Sequence, residues 1–325
     1  MTLCTVDTPE GRIEFDCPEG ATILDAALAA GWELPYSCRR GACESCRAGI
    51  VSGRVEPAAG ADGTALLCQT HALDDVRIAP VRIARMAAQP RRRVAGKLYR
   101  VRWPAPDVAV VDIRFPAGTR VAFQAGQYLN VLLPGHAPRS FSMANAPRSA
   151  DGAQLHVRIL PGGVFGQRLK DGLAVGETIE LELPFGDFHL REEPGRPAVL
   201  VAGGTGFAPM QSLLEDALGR HPDRSFTLYW GARGEGGLYA MDQVARWRRR
   251  HANFRFVGVL SEQAPPPDLR AGLVHQAVLA DHPDLSGHDV YACGAPALIQ
   301  AARAGCIAHG LPPERFYADA FATTS

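Results

Sequence analysis

The sequence predicts a multidomain chain of α+β class: an N-terminal domain organised by a cysteine loop, a central antiparallel β-barrel, and a C-terminal α/β domain with a parallel sheet. Three observations predict it. Cys38, Cys43 and Cys46 crowd one loop at x4 and x2 spacing, and Cys68 stands 22 residues further on. Between Lys97 and Leu183 six short β-rich runs are separated by glycine and proline turns, the pattern of a small barrel. From Ala198 onward apolar strands alternate with helical stretches, and the first strand runs directly into Gly203-Gly204-Thr205-Gly206. At 325 residues the chain is long enough to bury two or three separate cores.

Lys+Arg and Asp+Glu both number 34, so the formal net charge is zero and no global field favours nucleic acid or an anionic membrane. No run of eighteen apolar residues occurs, and the first residues lack a basic segment followed by an apolar one. The expectation is a soluble cytoplasmic protein. There is no repeat of solenoid period.

In the first domain, Ile13 to Cys17 alternates as a half-buried strand after a turn at Pro9-Glu10-Gly11. Thr22-Ile23-Leu24-Asp25 reads as a capping box for a helix from Ile23 to Ala30, with Gly31 as its left-handed stop. The cysteine loop follows, then a strand and turn over 47–53, the fourth cysteine, and a closing strand from Val76 to Ile78. Zinc sites usually pair short C-x2-4-C motifs, and disulfide frameworks belong to oxidising compartments. Three ligands in one loop and a distant fourth instead match the plant-type spacing for a [2Fe-2S] cluster, with Gly41, Ala42 and Ser45 small enough to let backbone N–H groups face the sulfurs. Cys4, Cys17, Cys293 and Cys306 are scattered. Residues 1–85 resemble the plant-type ferredoxins, which implies a β-grasp fold with Cys38, Cys43, Cys46 and Cys68 as metal ligands. Arg39 and Arg40 then form either a solvated loop or a cationic docking rim. Residues 86–95, with Arg91-Arg92-Arg93, read as a linker.

In the barrel, Arg139-Ser140-Phe141-Ser142 offers an Arg and a hydroxyl at i and i+3, expected on one face of a kinked segment. Gly162-Gly163-Val164-Phe165 follows the strand carrying Arg158 and opens a short helix whose free N–H groups suit an anion. Here the chain resembles the ferredoxin–NADP reductase superfamily. That resemblance makes Arg139, Phe141, Ser142, His156, Arg158, Gly162, Gly163 and Val164 contacts of FAD. Phe141 stands where the family usually has Tyr, leaving ring stacking without the hydroxyl, and Gly166 stands where Ser or Thr often donates.

In the last domain the strand, glycine loop and helix Met210 to Leu218 place backbone donors at a helix N-terminus, the arrangement that cradles a diphosphate. Pro209 replaces the third glycine of the dinucleotide fingerprint and is read at the first helical position. By the resemblance Gly204, Thr205, Gly206, Pro209, Arg233 and Gly294 bind NADH or NADPH, Cys293 stands beside the nicotinamide, and Phe321 covers the flavin. The resemblance assigns residues 96–192 to FAD and 193–325 to NAD(P)H.

The order of these domains is that of the reductase components of Rieske ring-hydroxylating oxygenases and multicomponent monooxygenases, which the chain resembles; the segments Gly203-Gly204-Thr205-Gly206-Phe207-Ala208-Pro209, Trp230-Gly231-Ala232-Arg233 and Ala318-Asp319-Ala320-Phe321-Ala322-Thr323 look most like those of the terephthalate dioxygenase reductases. That resemblance implies an enzyme that takes hydride from NAD(P)H onto FAD and passes single electrons through the cluster to a terminal oxygenase. The alternatives are a monooxygenase reductase, a deoxysugar dehydrase reductase of the same architecture, and a redox sensor without turnover.

Overall fold

The computed structural model describes residues 2–86, 91–191, 193 and 195–321. The chain forms two compact units, Met1–Gln89 together with Ala318–Ser325, and Pro90–Tyr317.

The first unit contains β1 (Thr2–Thr8), β2 (Gly11–Cys17), α1 (Ile23–Ala29), β3 (Trp32–Glu33), β4 (Arg47–Ser52), β5 (Val55–Glu56), β6 (Thr64–Leu66), β7 (His71–Ala72), β8 (Val76–Pro80) and β9 (Ala84–Arg85). Five strands form one sheet in the order β2-β1-β8-β4-β6, with β1 antiparallel to β2 and parallel to β8. A mixed sheet with one helix laid on it is the β-grasp arrangement. Period-two alternation turns Cys4, Val6, Phe15, Cys17, Val76 and Ile78 inward, onto Ile23 and Leu24 of α1. Burying each of those two helix side chains stabilises the unit by about 1.5–3 kcal/mol. Cys4 and Cys17, far apart in the sequence, bring their thiols together in this core. The expected capping box is half formed. Thr22 Oγ1 accepts from the Asp25 N–H at 3.1 Å, but the Asp25 carboxylate accepts from the Thr22 hydroxyl and pairs with Arg39 instead of the Thr22 N–H. Gly31 takes the left-handed conformation at φ +80° as expected.

The second unit begins with β10 (Arg92–Ala105), β11 (Val108–Arg114), β12 (Tyr128–Leu132), β13 (Arg139–Ser142), β14 (Gly152–Arg158), α2 (Val164–Lys170) and β15 (Thr178–Phe185). These strands pair antiparallel in the order β13-β12-β15-β10-β11-β14. A bridge between Met143 and Leu155, with Ala144 N donating to Gln154 O at 2.8 Å, joins the two outer strands and closes the barrel. Of the expected linker, 87–90 lie outside the described residues, and Arg92 to Ala95 are strand. Val94, Gly96 and Leu98 alternate inward and carry the ladder with β15 back to Arg92, which the charge run concealed.

Arg139 and Ser142 do not share a face. β13 pairs with β12 in unbroken register, so period two puts Arg139 with Phe141 and Ser140 with Ser142.

The unit continues with β16 (Ala198–Gly203), a 3-10 turn over Gly204–Gly206, α3 (Phe207–Ala217), β17 (Phe226–Ala232), α4 (Met241–Arg250), β18 (Phe254–Leu260), β19 (Arg270–Ala271), α5 (Val274–Asp281), β20 (Asp289–Gly294), α6 (Pro296–Ala308) and the start of β21 (Phe316–Ala320), whose residues from Ala318 on are counted with the first unit. The sheet runs β19-β18-β17-β16-β20-β21, with parallel pairing from β19 through β20. Successive strands leave β16 in one direction and resume on its other side at β20. The order therefore reverses between β16 and β20, the switch point at whose strand carboxyl ends ligands of such sheets bind. Pro209 is the third helical residue rather than the first, because α3 starts at Phe207; its missing N–H is still one that a first turn leaves unpaired.

α3 is apolar on nearly every side, as a helix buried between two layers must be. Gln211 Nε2 donates to Ala144 O at 3.2 Å and Gln154 Oε1 at 2.9 Å, and Ser212 Oγ donates to Asn145 O at 2.7 Å. The helix thus fastens the barrel to the parallel sheet within one unit.

Candidate functional site

The cysteine loop of the first unit is shaped by left-handed residues. Arg39, Gly41 and Glu44 have φ of 53°, 73° and 59°, which wraps the backbone around Cys38. The N–H groups of Arg40 and Cys43 point at Cys38 Sγ from 3.4 and 3.3 Å, and Gln69 Nε2 approaches Cys68 Sγ at 3.6 Å. Cys43, Cys46 and Cys68 are buried and Cys38 half-buried. Hydrogen bonding from the Cys43 thiol, helped by backbone N–H groups, pulls Cys38 down to about 6. The Cys46 thiol pulls Cys68 down to about 7, and the two donors are themselves pushed up. Among the described residues no group of three or more His, Cys, Asp or Glu is disposed to hold a single metal ion. The four thiols meet two by two, Cys38 with Cys43 and Cys46 with Cys68. Four thiols with backbone N–H groups directed at Cys38 Sγ fit a [2Fe-2S] cluster, which Cys38, Cys43, Cys46 and Cys68 would hold. Of the two basic residues beside the loop, Arg39 pairs with Asp25 and Arg40 is exposed.

In the second unit the carboxyl ends of β16 and β20 bring together several of the expected residues. The 3-10 turn Gly204–Gly206 is held from below, since Trp230 Nε1 donates to Gly204 O at 2.9 Å and the Trp230 ring stacks on Phe207 with centroids 4.1 Å apart. Gly206 lies so close to β20 that a Cβ there would be 2.2 Å from Cys293 O. Cys293 is fully buried, and Gly294 follows with φ +153° against Gly203. Arg158, at the end of β14, pairs with Asp107 at 2.8 Å and reaches over the glycine turn, where a Cβ on Gly204 would be 3.2 Å from its Nη2. Barrel and nucleotide loop therefore share one guanidinium.

His156, two residues earlier on the same face of β14, is buried at this seam. Its Nδ1 and the Tyr239 hydroxyl are 2.9 Å apart, Nε2 is 3.4 Å from Gln154 Oε1, and its ring stacks on Phe207. Burial, with the charge of Arg102 adding to it, pushes His156 down to about 3, and burial raises the Tyr239 phenol. This has a consequence for stability. An unfolded histidine titrates near 6.5. Below that pH the unfolded chain takes up a proton that the folded chain refuses until about pH 3, so stability falls with falling pH by up to about 1.4 kcal/mol per unit. His156→Gln is expected to flatten the slope of urea-derived stability between roughly pH 6.5 and 5, above the carboxylate range. Equal slopes in the two proteins rule this out.

The other expected residues are placed less centrally. Phe141 is half-buried, its ring 5.4 Å from Phe165 of α2, so β13 and α2 meet there. Ser142 is buried beside Tyr128 in the ladder. Arg139 donates to the Ala137 carbonyl at 2.8 Å. Gly162 is left-handed at φ +73°, and Gly163 caps α2 at Val164 without a side-chain bond. Thr205 is buried in the glycine turn. Arg233 is exposed past β17 and pairs with Glu262 at 3.6 Å. Phe321 is half-buried just after β21 and belongs to the first unit.

Sequence reasoning missed Phe207, Trp230, Tyr239 and Asp107, the residues that fix the glycine turn, His156 and Arg158. A large aromatic following Gly206 was a visible signal, since a side chain of that size at a phosphate-type loop must be packed from beneath.

Comparison with known proteins finds three family models along the chain. Residues 7–73 match the family described as a 2Fe-2S iron-sulfur cluster binding domain, 97–190 an oxidoreductase FAD-binding domain, and 200–304 an oxidoreductase NAD-binding domain. The chain is 40% identical over 324 residues to the terephthalate 1,2-dioxygenase reductase component 1 of Comamonas sp., covering 97% of this chain and 96% of that one. It is 36% identical to the CDP-6-deoxy-L-threo-D-glycero-4-hexulose-3-dehydrase reductase of Yersinia pseudotuberculosis, with 99% of each covered. Among solved structures, an Amycolatopsis cytochrome P450 reductase superposes with a TM-score of 0.80 at 35% identity, covering 99% of each chain.

Proposed function

We propose a defined role for this chain, which belongs to the family of reductases that join a [2Fe-2S] domain, an FAD-binding domain and an NAD-binding domain: it delivers electrons from NAD(P)H to the Rieske-type oxygenase of an aromatic-ring dioxygenase. Oxidoreductase chemistry with those three groups, in the service of an oxygenase component, follows from the membership. The step to a Rieske partner acting on an aromatic acid such as terephthalate is supported by the 40% identity to a reductase of that dioxygenase.

The observation that carries the reading is the convergence of the glycine turn, Cys293 and Arg158 of the barrel at the carboxyl ends of β16 and β20. When bound, the flavin accepts hydride as an electron pair and gives the electrons up singly, which suits a one-electron iron–sulfur carrier. The chain supplies position and charge. Arg139 and Arg158, with the N–H groups opening α2, would neutralise the FAD diphosphate. The turn Gly204–Gly206 and the start of α3 at Pro209 would hold the coenzyme diphosphate, with Arg233 and Gly294 along its length. Phe141 would stack on the flavin, with Ser142 and His156 behind it. Cys293 would fix the nicotinamide ring so that donor and acceptor atoms face each other. The functional segments are 1–85, 96–192 and 193–325.

Among the described residues no helix is long and apolar enough to cross a membrane. We place the protein in the cytoplasm, where cysteines outside disulfides, as all eight here are, stay reduced.

Anaerobic visible spectroscopy tests the role. Flavin and iron–sulfur absorbance should bleach together on adding NADH or NADPH, and a purified Rieske oxygenase should then reoxidise the protein rapidly. A protein reoxidised by a deoxysugar dehydrase but not by the oxygenase would overturn the partner. One that neither coenzyme bleaches would overturn the reductase.

A further inference from the structure

Ser37 immediately precedes Cys38 and is only 2% exposed, and its hydroxyl donates to Asp319 Oδ1 at 2.6 Å. Ser45, between Cys43 and Cys46, donates to the Ala318 carbonyl at 3.0 Å. All four residues belong to the first unit. The cysteine loop is therefore gripped at two points, each adjacent in sequence to a cysteine, by one short stretch from the far end of the sequence. Asp319 is itself only 5% exposed, and none of the chemistry described so far uses it.

A carboxylate held out of water costs several kcal/mol unless partners repay it, so one that stands beside a redox centre calls for a reason. Coulomb's law supplies one. In a poorly polarisable interior, a fixed negative charge near an electron acceptor disfavours the arrival of another electron. Hydrogen bonds and net charge around the sulfurs are among the factors that set the potential of an iron–sulfur centre.

We propose that Asp319 is a positioning residue of the cysteine site, acting through Ser37: it anchors the loop before Cys38, and its carboxylate lowers the reduction potential of the centre that the loop holds. This rests on Cys38, Cys43, Cys46 and Cys68 being the ligands. The Ser37 O–H partly neutralises the carboxylate, so the two partners have opposite electrostatic effects. Removing the charge should make the centre easier to reduce, and removing the hydroxyl should make it harder.

The test uses the full-length, cofactor-loaded protein in an anaerobic redox titration followed by visible and electron paramagnetic resonance spectra. Asp319→Asn, which keeps the shape and the acceptor for Ser37, is expected to shift the midpoint potential of the iron–sulfur signal upward. Ser37→Ala is expected to shift it downward, and to release iron to a chelator several-fold faster than the parent. A purely structural contact would move both midpoints in the same sense or neither, and either result overturns the proposal. Should Asp319→Asn fail to fold, the downward shift in Ser37→Ala alone decides, since an unchanged or raised midpoint there refutes the charge effect. Parent protein without any iron–sulfur signal would instead refute the ligand assignment, and this inference with it.

Discussion

Replacing Cys38 with serine is expected to abolish reduction of cytochrome c by NAD(P)H while leaving ferricyanide reduction by the flavin unchanged. Cys38 carries the most organised sulfur of the loop, accepting the N–H groups of Arg40 and Cys43. Its thiol is lowered from the usual thiol range by hydrogen bonding from the Cys43 thiol and the backbone N–H groups around it. A serine oxygen is a harder and far less acidic donor that does not satisfy a site built for thiolates. Changes to groups behind a metal ligand cost about 10–100-fold in affinity or activity, so losing the ligand should cost at least about 100-fold in cytochrome c turnover. Ferricyanide can take electrons from the flavin directly, and its reduction reports whether the second unit is intact. Loss of both activities together, or retention of both, contradicts the assigned route.

Substituting Gly206 with alanine is expected to remove coenzyme-driven flavin reduction almost entirely. The added Cβ would lie 2.2 Å from Cys293 O, 2.6 Å from its carbonyl carbon and 3.1 Å from Gly294 N, all main-chain atoms of the fully buried strand β20. Nothing flexible is available to give way. Overpacking of this kind costs about 1–3 kcal/mol in stability. The larger effect is geometric: the glycine turn and Cys293 are pushed apart, and a displacement of about 1 Å can cost on the order of 100-fold in rate. Stopped-flow bleaching by NADH or NADPH measures it, with chemical reduction by dithionite as evidence that both cofactors remain bound. Gly219→Ala, which meets nothing within 4 Å, is the control. A parent-like rate in Gly206→Ala would show that the close approach to β20 is unimportant.

Local patterns were the legible part of this molecule. The x4 and x2 cysteine spacing, the glycine turn after an apolar strand, and the alternation of Ile13 to Cys17 each depend on neighbours a few residues away, and each formed where expected. Errors arose where a reading assumed a local irregularity. Arg139 and Ser142 were expected on one face of a kinked segment, but an unbroken ladder with β12 keeps the strand regular and separates them. Arg92 and Arg93 looked like a connector because surface strands can carry charge on every outward position, and only the pairing with β15 distinguishes the two. What stayed hidden were partners distant in sequence: Tyr239 against His156, Trp230 beneath Gly204, Asp107 on Arg158. No periodicity reports such pairs, because each is decided by how the barrel and sheet pack through α3.

The grip of Asp319 on Ser37 spans 282 positions, and so it sets a clock on biosynthesis. At about 5–20 residues per second, a ribosome needs roughly 15–60 s after making Ser37 before its partner emerges. For most of that interval, once β8 has been made, the nascent first domain can close its sheet, because all five strands are then present. Its thiol loop must wait untethered. Iron inserted during translation would enter a slack site, whereas iron inserted after release would enter a finished one, which makes completion of the polypeptide a natural checkpoint for maturation.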